Sequence, residues 1–153
     1  MSCRGYVEYY PNGKLKTGTL AREDTLSGQP LPEGTVVTFT PEGVLDWCFL
    51  QKDKEIQGHL CKGQGHGWMT CFHPNGKLRL AWLGREEEIQ GIPVAEYNWW
   101  AYAFGKGAGT YFWENGRLRR CRLSRDISIE EHAFHKGDIV TFDESGRLST
   151  EKK

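Results

Sequence analysis

The sequence predicts an all-β fold built from repeats, an antiparallel hairpin array or β-solenoid of about four and a half units of about 30 residues. Three observations carry this. The heptad Phe72-His73-Pro74-Asn75-Gly76-Lys77-Leu78 recurs at Tyr9–Leu15, Phe39–Leu45, Phe112–Leu118 and Phe142–Leu148, always with an aromatic first, Gly fifth and Leu seventh. The anchor glycines Gly13, Gly43, Gly76, Gly116 and Gly146 are 30, 33, 40 and 30 residues apart. The chain also holds 19 Gly against 6 Trp, 6 Tyr and 7 Phe, a turn-rich and aromatic-rich balance that favours strands.

Each heptad reads as a hairpin, and the residues it tolerates select the loop. A two-residue type I′ loop needs φ > 0 at both central positions, which the Glu42 and Ser145 copies disfavour. A three-residue loop accepts Pro first, almost anything second, and wants Gly third. Pro11, Pro41 and Pro74 fit the first place and the five glycines the third. The aromatic and the Leu then face each other across the hairpin as an apolar pair.

Further columns define the rest of the unit. Leu15, Leu45, Leu78 and Leu118 are followed five residues later by Leu20, Leu50, Leu83 and Leu123, then by Leu26, Ile56, Ile89 and Ile129. Gly28, Gly58 and Gly91 come next, with Glu131 breaking the column. These residues imply an added short strand per unit. Between the two leucines sits a small-residue column, Gly18, Cys48, Ala81 and Cys121, expected where the backbone or a stacked repeat comes close. This column and the second Leu share a strand face from which parity excludes the first Leu, so a bulge is implied between them. The pairs Arg22-Glu23, Lys52-Asp53, Arg85-Glu86 and Arg125-Asp126 follow, expected as exposed turns forming a ladder of alternating charge. The units run about 5–34, 35–67, 68–107 and 108–137, with a half-unit cap at 138–150, as one β-repeat domain over residues 1–153. Glu and Lys at Glu151 to Lys153 are expected to protect the open edge.

Both departures from the 30-residue pitch fall between the Ile-containing segment and the next aromatic strand, where insertions become loops on one side. The first lies within Lys62–Gly67 and the second is the aromatic stretch Glu96–Gly105.

Composition excludes several classes. Lys plus Arg and Asp plus Glu both total 20, so no bulk field argues for nucleic acid or an anionic membrane. No apolar run approaches the length of a membrane span, and no basic-then-apolar leader follows Met1, which reads as cytoplasmic. An exported chain with its leader removed reads the same way. Five cysteines without dense, regular spacing fit reduced thiols better than a disulfide framework.

The segments Tyr9–Leu15, Gly65–Phe72 running into Pro74-Asn75-Gly76, and Gly105–Phe112 running into Glu114-Asn115-Gly116 give the chain a resemblance to MORN-type repeat proteins. It is most similar to the short bacterial variant often described as antitoxin-like. The resemblance implies an elongated array of hairpins used for interaction and not for chemistry, with an antitoxin or immunity role as one form of that. MORN units are shorter than those here, which add Ile56-Gln57-Gly58 or Ile89-Gln90-Gly91 after each hairpin.

Candidate chemistry gathers at the insertions. His59, Cys61, His66, Cys71 and His73 are potential zinc ligands around the first, although their spacing matches no standard knuckle and they occupy different columns. Cys71 and His73, two apart on a strand, are the alternative as a thiol nucleophile with its base. His132 and His135 share no helical face. Gly63-Gln64-Gly65-His66-Gly67 lacks the helix that would aim amides at a phosphate. The reading is therefore a non-catalytic binding module without a cofactor. Its expected contact residues are Tyr97, Trp99, Trp100, Tyr102 and Phe104, because Trp and Tyr bury much area at low entropic cost. A protein partner fits best, and stacking on sugar rings leaves a carbohydrate open. The competing structural role for Trp99 or Trp100 is to tuck over the open end of the core. Trp47, Trp68, Trp82 and Trp113 read as strand residues engaged in packing.

Overall fold

The computed structural model describes residues 1–64, 67–105 and 107–149. The first unit pairs β1 (Cys3–Tyr9) with β2 (Leu15–Leu20) and adds a ribbon of two short strands, β3 (Asp24–Leu26) and β4 (Gln29–Leu31). The pattern repeats with β5 (Val36–Phe39), β6 (Leu45–Phe49) and ribbon β7 (Lys54–Ile56) and β8 (His59–Cys61). It repeats again with β9 (Met69–Phe72), β10 (Leu78–Ala81) and ribbon β11 (Glu87–Ile89) and β12 (Ile92–Val94). After helix α1 (Trp99–Ala103) come β13 (Thr110–Phe112), β14 (Leu118–Arg122), ribbon β15 (Ile127–Ile129) and β16 (His132–Phe134), and β17 (Ile139–Thr141). The hairpin strands form one antiparallel nine-stranded sheet in the order β1-β2-β5-β6-β9-β10-β13-β14-β17, a meander and not a solenoid. The expected single added strand per unit is a two-stranded ribbon instead.

The hairpins have the loop that their residues demand. Tyr10 N–H donates to the Lys14 carbonyl at 2.8 Å and Gly13 N–H to the Tyr10 carbonyl at 2.9 Å, leaving a three-residue loop closed by Gly13 at φ 81°. The apolar pairs form in register as Tyr9 with Leu15, Phe39 with Leu45, Phe72 with Leu78 and Phe112 with Leu118. The bulge falls directly after each first Leu, where Lys16, Asp46, Arg79 and Arg119 each lack an opposite residue. It turns the small column and the second Leu onto the face that already carries the aromatic and the first Leu.

Sheet and ribbons share one core. Leu20, Leu50, Leu83 and Leu123 are buried beneath Leu31, Ile56, Cys61, Ile89 and Val94 of the ribbon layer, with Cys48, Ala81 and Cys121 at 0 % exposure. At the glycine of the small column the close neighbour is the adjoining strand, since a Cβ on Gly18 would lie 2.9 Å from Cys3 Sγ. The ribbon loops are two-residue turns with φ > 0 at both places, Ser27-Gly28, Gln57-Gly58, Gln90-Gly91 and Glu130-Glu131. Two of these glutamines fasten ribbon to hairpin. Gln57 Nε2 donates to the Gly76 carbonyl at 2.8 Å while its Oε1 accepts from Leu78 N at 3.0 Å, and Gln90 makes the same two contacts with Gly116 and Leu118.

Neighbouring hairpins are joined at their tips. Asn12, Asn75 and Asn115 each turn Oδ1 to their own loop and donate from Nδ2 to the carbonyl of Pro41, Glu114 or Glu144 in the next, at 2.8–3.0 Å. Ion pairs do link neighbouring units, each joining one member of an expected pair to a residue outside the pairs: Glu23 meets Lys54 at 4.0 Å, Arg85 meets Glu55 at 3.4 Å and Arg125 meets Glu88 at 3.1 Å. These exposed pairs set spacing more than stability. His66 and the cap residues Glu151 to Lys153 lie outside the described residues.

Candidate functional site

The two insertions leave the array from the same corner. In the uninterrupted units Gly34 N–H donates to the Leu20 carbonyl and Gly137 N–H to the Leu123 carbonyl, each at 2.9 Å. Gln64 and Tyr97 take that place, donating to Leu50 at 3.1 Å and Leu83 at 2.8 Å. The extra residues follow at once. Thus the strands on either side of each insertion still pair in the sheet.

The second insertion is not an irregular loop. Asn98, at φ −131°, caps α1 by accepting from Trp100 N at 2.9 Å and Ala101 N at 3.3 Å. Gly105 at φ 70° follows the turn, and Gly107 passes so near that a Cβ there would lie 2.5 Å from Tyr102 Cα. An Asn ahead of an alanine-containing run was the available signal for this helix.

The five aromatics of the insertion divide into two sets. Tyr97 is half-buried, stacked on Trp68 with centroids 4.6 Å apart and meeting Trp82 edge-on at 5.7 Å. Tyr102 reaches the same cluster through Trp82 at 6.1 Å, and Lys62 Nζ stands 5.9 Å over the Tyr97 ring. Burial pushes the Tyr97 phenol up, with Tyr102 adding to it. Trp99, Trp100 and Phe104 face outward at 56, 67 and 75 % exposure, and Trp99 packs only edge-on against Trp100 at 4.8 Å. The ring that tucks against the body is therefore Tyr97, with Tyr102, itself 56 % exposed, touching Trp82 edge-on and Tyr97 at a tilt, and not the tryptophans.

Of the expected strand tryptophans, Trp47 lies within β6 while Trp68, Trp82 and Trp113 flank β9, β10 and β13. Trp113 Nε1 donates to the Phe142 carbonyl at 3.0 Å, the place taken by Tyr10 Oη on Phe39 at 2.8 Å and by His73 Nε2 on Phe112 at 2.9 Å. His73 is thus one peg in a row. Its ring holds the next hairpin.

Cys71 is 4 % exposed, opposite Trp47 and Leu80, and burial raises its thiol, which keeps it protonated. His59 donates from Nδ1 to Glu87 Oε2 at 2.8 Å, and the nearly buried Glu87 also accepts from Leu60 N at 2.8 Å. Cys61 donates to the His59 carbonyl at 3.6 Å. Among the described residues no group of three His, Cys, Asp or Glu is placed to hold a metal ion. His132 is turned back on the Glu130 carbonyl at 2.8 Å, and His135 meets Asp126 at 3.6 Å.

The buried thiols make a pH prediction. Burial pushes Cys61 and Cys121 up from an ordinary 9.0 to about 12. A neutral thiol favoured by folding contributes stability that is complete below its unfolded value and lost as the pH rises through the folded one. The urea midpoint is thus expected to fall between about pH 9 and 12, each thiol costing about 1.4 kcal/mol per pH unit. Cys121→Ala should flatten that fall by one thiol's share; an unchanged slope would show that Cys121 ionises as readily folded as unfolded.

No curated protein and no solved structure matches the chain. A family model described as MORN repeat variant matches residues 6–21. That match runs from Tyr6, in the middle of β1, through β2, and the later hairpins are built on the same plan of aromatic, three-residue loop, Leu and bulge. The family's repeats point to a binding or scaffold module and are generally not enzymes. The chain is a MORN-like repeat protein.

Proposed function

We propose that the protein is a non-catalytic binding module that engages a protein partner through the aromatic insertion at Tyr97–Phe104. The observation that supports this most is the presentation of Trp99, Trp100, Tyr102 and Phe104, each more than half exposed, on a capped turn whose base is anchored by Tyr97. Large rigid rings held in place lose little entropy on contact, which is the property of interface hot spots. Trp99→Ala combined with Trp100→Ala is expected to abolish capture of the native partner, a loss of at least about 2 kcal/mol of binding energy, while the urea midpoint stays within error. Undiminished capture by the double variant would exclude the insertion as the contact.

A further inference from the structure

The ribbons cover one face of the sheet, and the other face carries a row of side chains in continuous register. Trp47 of β6 lies opposite Cys71 of β9, Cys71 opposite Leu80 of β10, Leu80 opposite Tyr111 of β13, Tyr111 opposite Arg120 of β14, and Arg120 opposite Thr141 of β17. A second row beside it runs through Val36, Phe49 and Met69 toward Trp82. The row is smooth by design of the backbone, because a Cβ on Gly109 would lie 2.4 Å from Leu80 Cδ1, and its absence lets Leu80 lie flat. Trp82 also touches Tyr97 and Tyr102, so this floor runs without a break into the wall made by α1.

Charge on the floor is uneven. Asp46 is paired with Arg79 at 3.0 Å and Glu8 with Lys16 at 2.7 Å. Arg122 donates to the Glu96 carbonyl at 2.9 Å, and Arg119 lies 4.4 Å over the Trp113 ring. The side chain of Arg120, half-buried between Tyr111 and Thr141, makes no hydrogen bond or ion pair among the described residues. A half-buried arginine without a counter-charge gains most from a carboxylate brought in from outside.

We propose that this face of the sheet receives an amphipathic helix of a partner protein, apolar over Trp47 to Tyr111 and bearing a carboxylate that pairs with Arg120. The proposal rests on the binding reading above and names the partner's chemistry. Strands lie about 4.8 Å apart, so Trp47 to Arg120 spans about 19 Å. A helix laid across the strands advances 5.4 Å per turn and sets one apolar side chain near each strand in succession. An extended peptide repeats its side chains about every 6.8 Å and loses register within two strands. An anionic membrane would draw on several free cations, whereas Arg79 and Lys16 are neutralised by Asp46 and Glu8, Arg122 is committed to the Glu96 carbonyl and Arg119 to the Trp113 ring.

The test uses the full chain and synthetic 18-residue helical peptides with a leucine stripe, ending in two Glu, or in two Lys, or with the stripe scrambled. Binding is read by isothermal titration calorimetry and by quenching of tryptophan fluorescence. The Glu-ended peptide is expected to bind about tenfold more tightly than the Lys-ended one, and Arg120→Glu to reverse that order, with Arg120→Gln removing the preference. Equal binding of both peptides, an order unchanged in Arg120→Glu, or binding of the scrambled peptide would overturn the proposal. So would binding of phosphatidylserine vesicles that Arg120→Glu abolishes while no peptide binds. If Arg120→Glu unfolds, the neutral Arg120→Gln alone decides. Loss of native partner capture in the Trp99 and Trp100 double variant together with no effect of Arg120 would leave the insertion reading standing and remove this one; the reverse pattern would remove the insertion and keep the sheet face.

Discussion

Replacing Phe72 by Ala is expected to cost about 3–5 kcal/mol of folding stability, measured as a fall in the urea midpoint at constant slope. Phe72 is 2 % exposed, pairs with Leu78 across the central hairpin and lies in the shared core of sheet and ribbons. Truncation there removes a ring from a site walled by backbone on one side and the ribbon layer on the other, so little can collapse into the void. Tyr9 holds the same place in the first heptad but is 63 % exposed on edge strand β1. Tyr9→Ala should therefore cost under about 1 kcal/mol. Equal costs at the two positions would refute the account of the ribbons as the cover that buries the aromatic.

Gly63→Ala is expected to destabilise by about 3 kcal/mol, near the upper end of the range for overpacking. A Cβ on Gly63 would stand 2.2 Å from the Lys52 carbonyl carbon and 2.4 Å from its oxygen. The obstacle is backbone and cannot rotate away. Gly63 N–H is also committed to Asp53 Oδ1 at 2.8 Å, which ties the corner where the first insertion departs. Gly67, four residues on, has open space where its Cβ would be, so Gly67→Ala should leave the midpoint within about 0.5 kcal/mol. Thermal melts of the two variants side by side check the contrast. A tolerated Gly63→Ala would mean that the chain passes Lys52 at a greater distance than described.

The five heptads were legible because their turn chemistry is local. Pro at the first loop place, Gly at the third, and an aromatic and a Leu just outside leave one hairpin loop compatible with all copies, and parity alone required the bulge after each Leu. The ribbons were only half legible. Gln57 and Gln90 adopt φ 53°, where Asn is the usual companion of Gly, and at Glu130-Glu131 both residues are left-handed without any glycine. Those loops are held by side-chain bonds to hairpins 18 to 28 residues away, which no local pattern displays.

The candidate site divides in the same way. Sequence pointed to Glu96–Gly105 as a projecting aromatic segment, but which rings face outward depended on Trp68 and Trp82, brought to Tyr97 by the closing of the sheet. The grouping of His59, Cys61, Cys71 and His73 was a proximity in sequence that strand alternation and the ribbon layer dispersed. His73 reaches forward to Phe112, Cys71 faces Trp47 on the side away from the ribbons, and His59 turns to Glu87.

By itself, the sequence determined the repeat, its pitch, the hairpin loops and the place of both insertions, since each depends on backbone preferences and strand parity at fixed short offsets. Only the tertiary structure decided that the units form a nine-stranded meander with a layer of ribbons, that one sheet face carries the row from Trp47 through Arg120, and that Trp99 and Trp100 stand clear of the body. Those outcomes depend on which faces meet after the bulges have turned them, and residues far apart in the chain set that together.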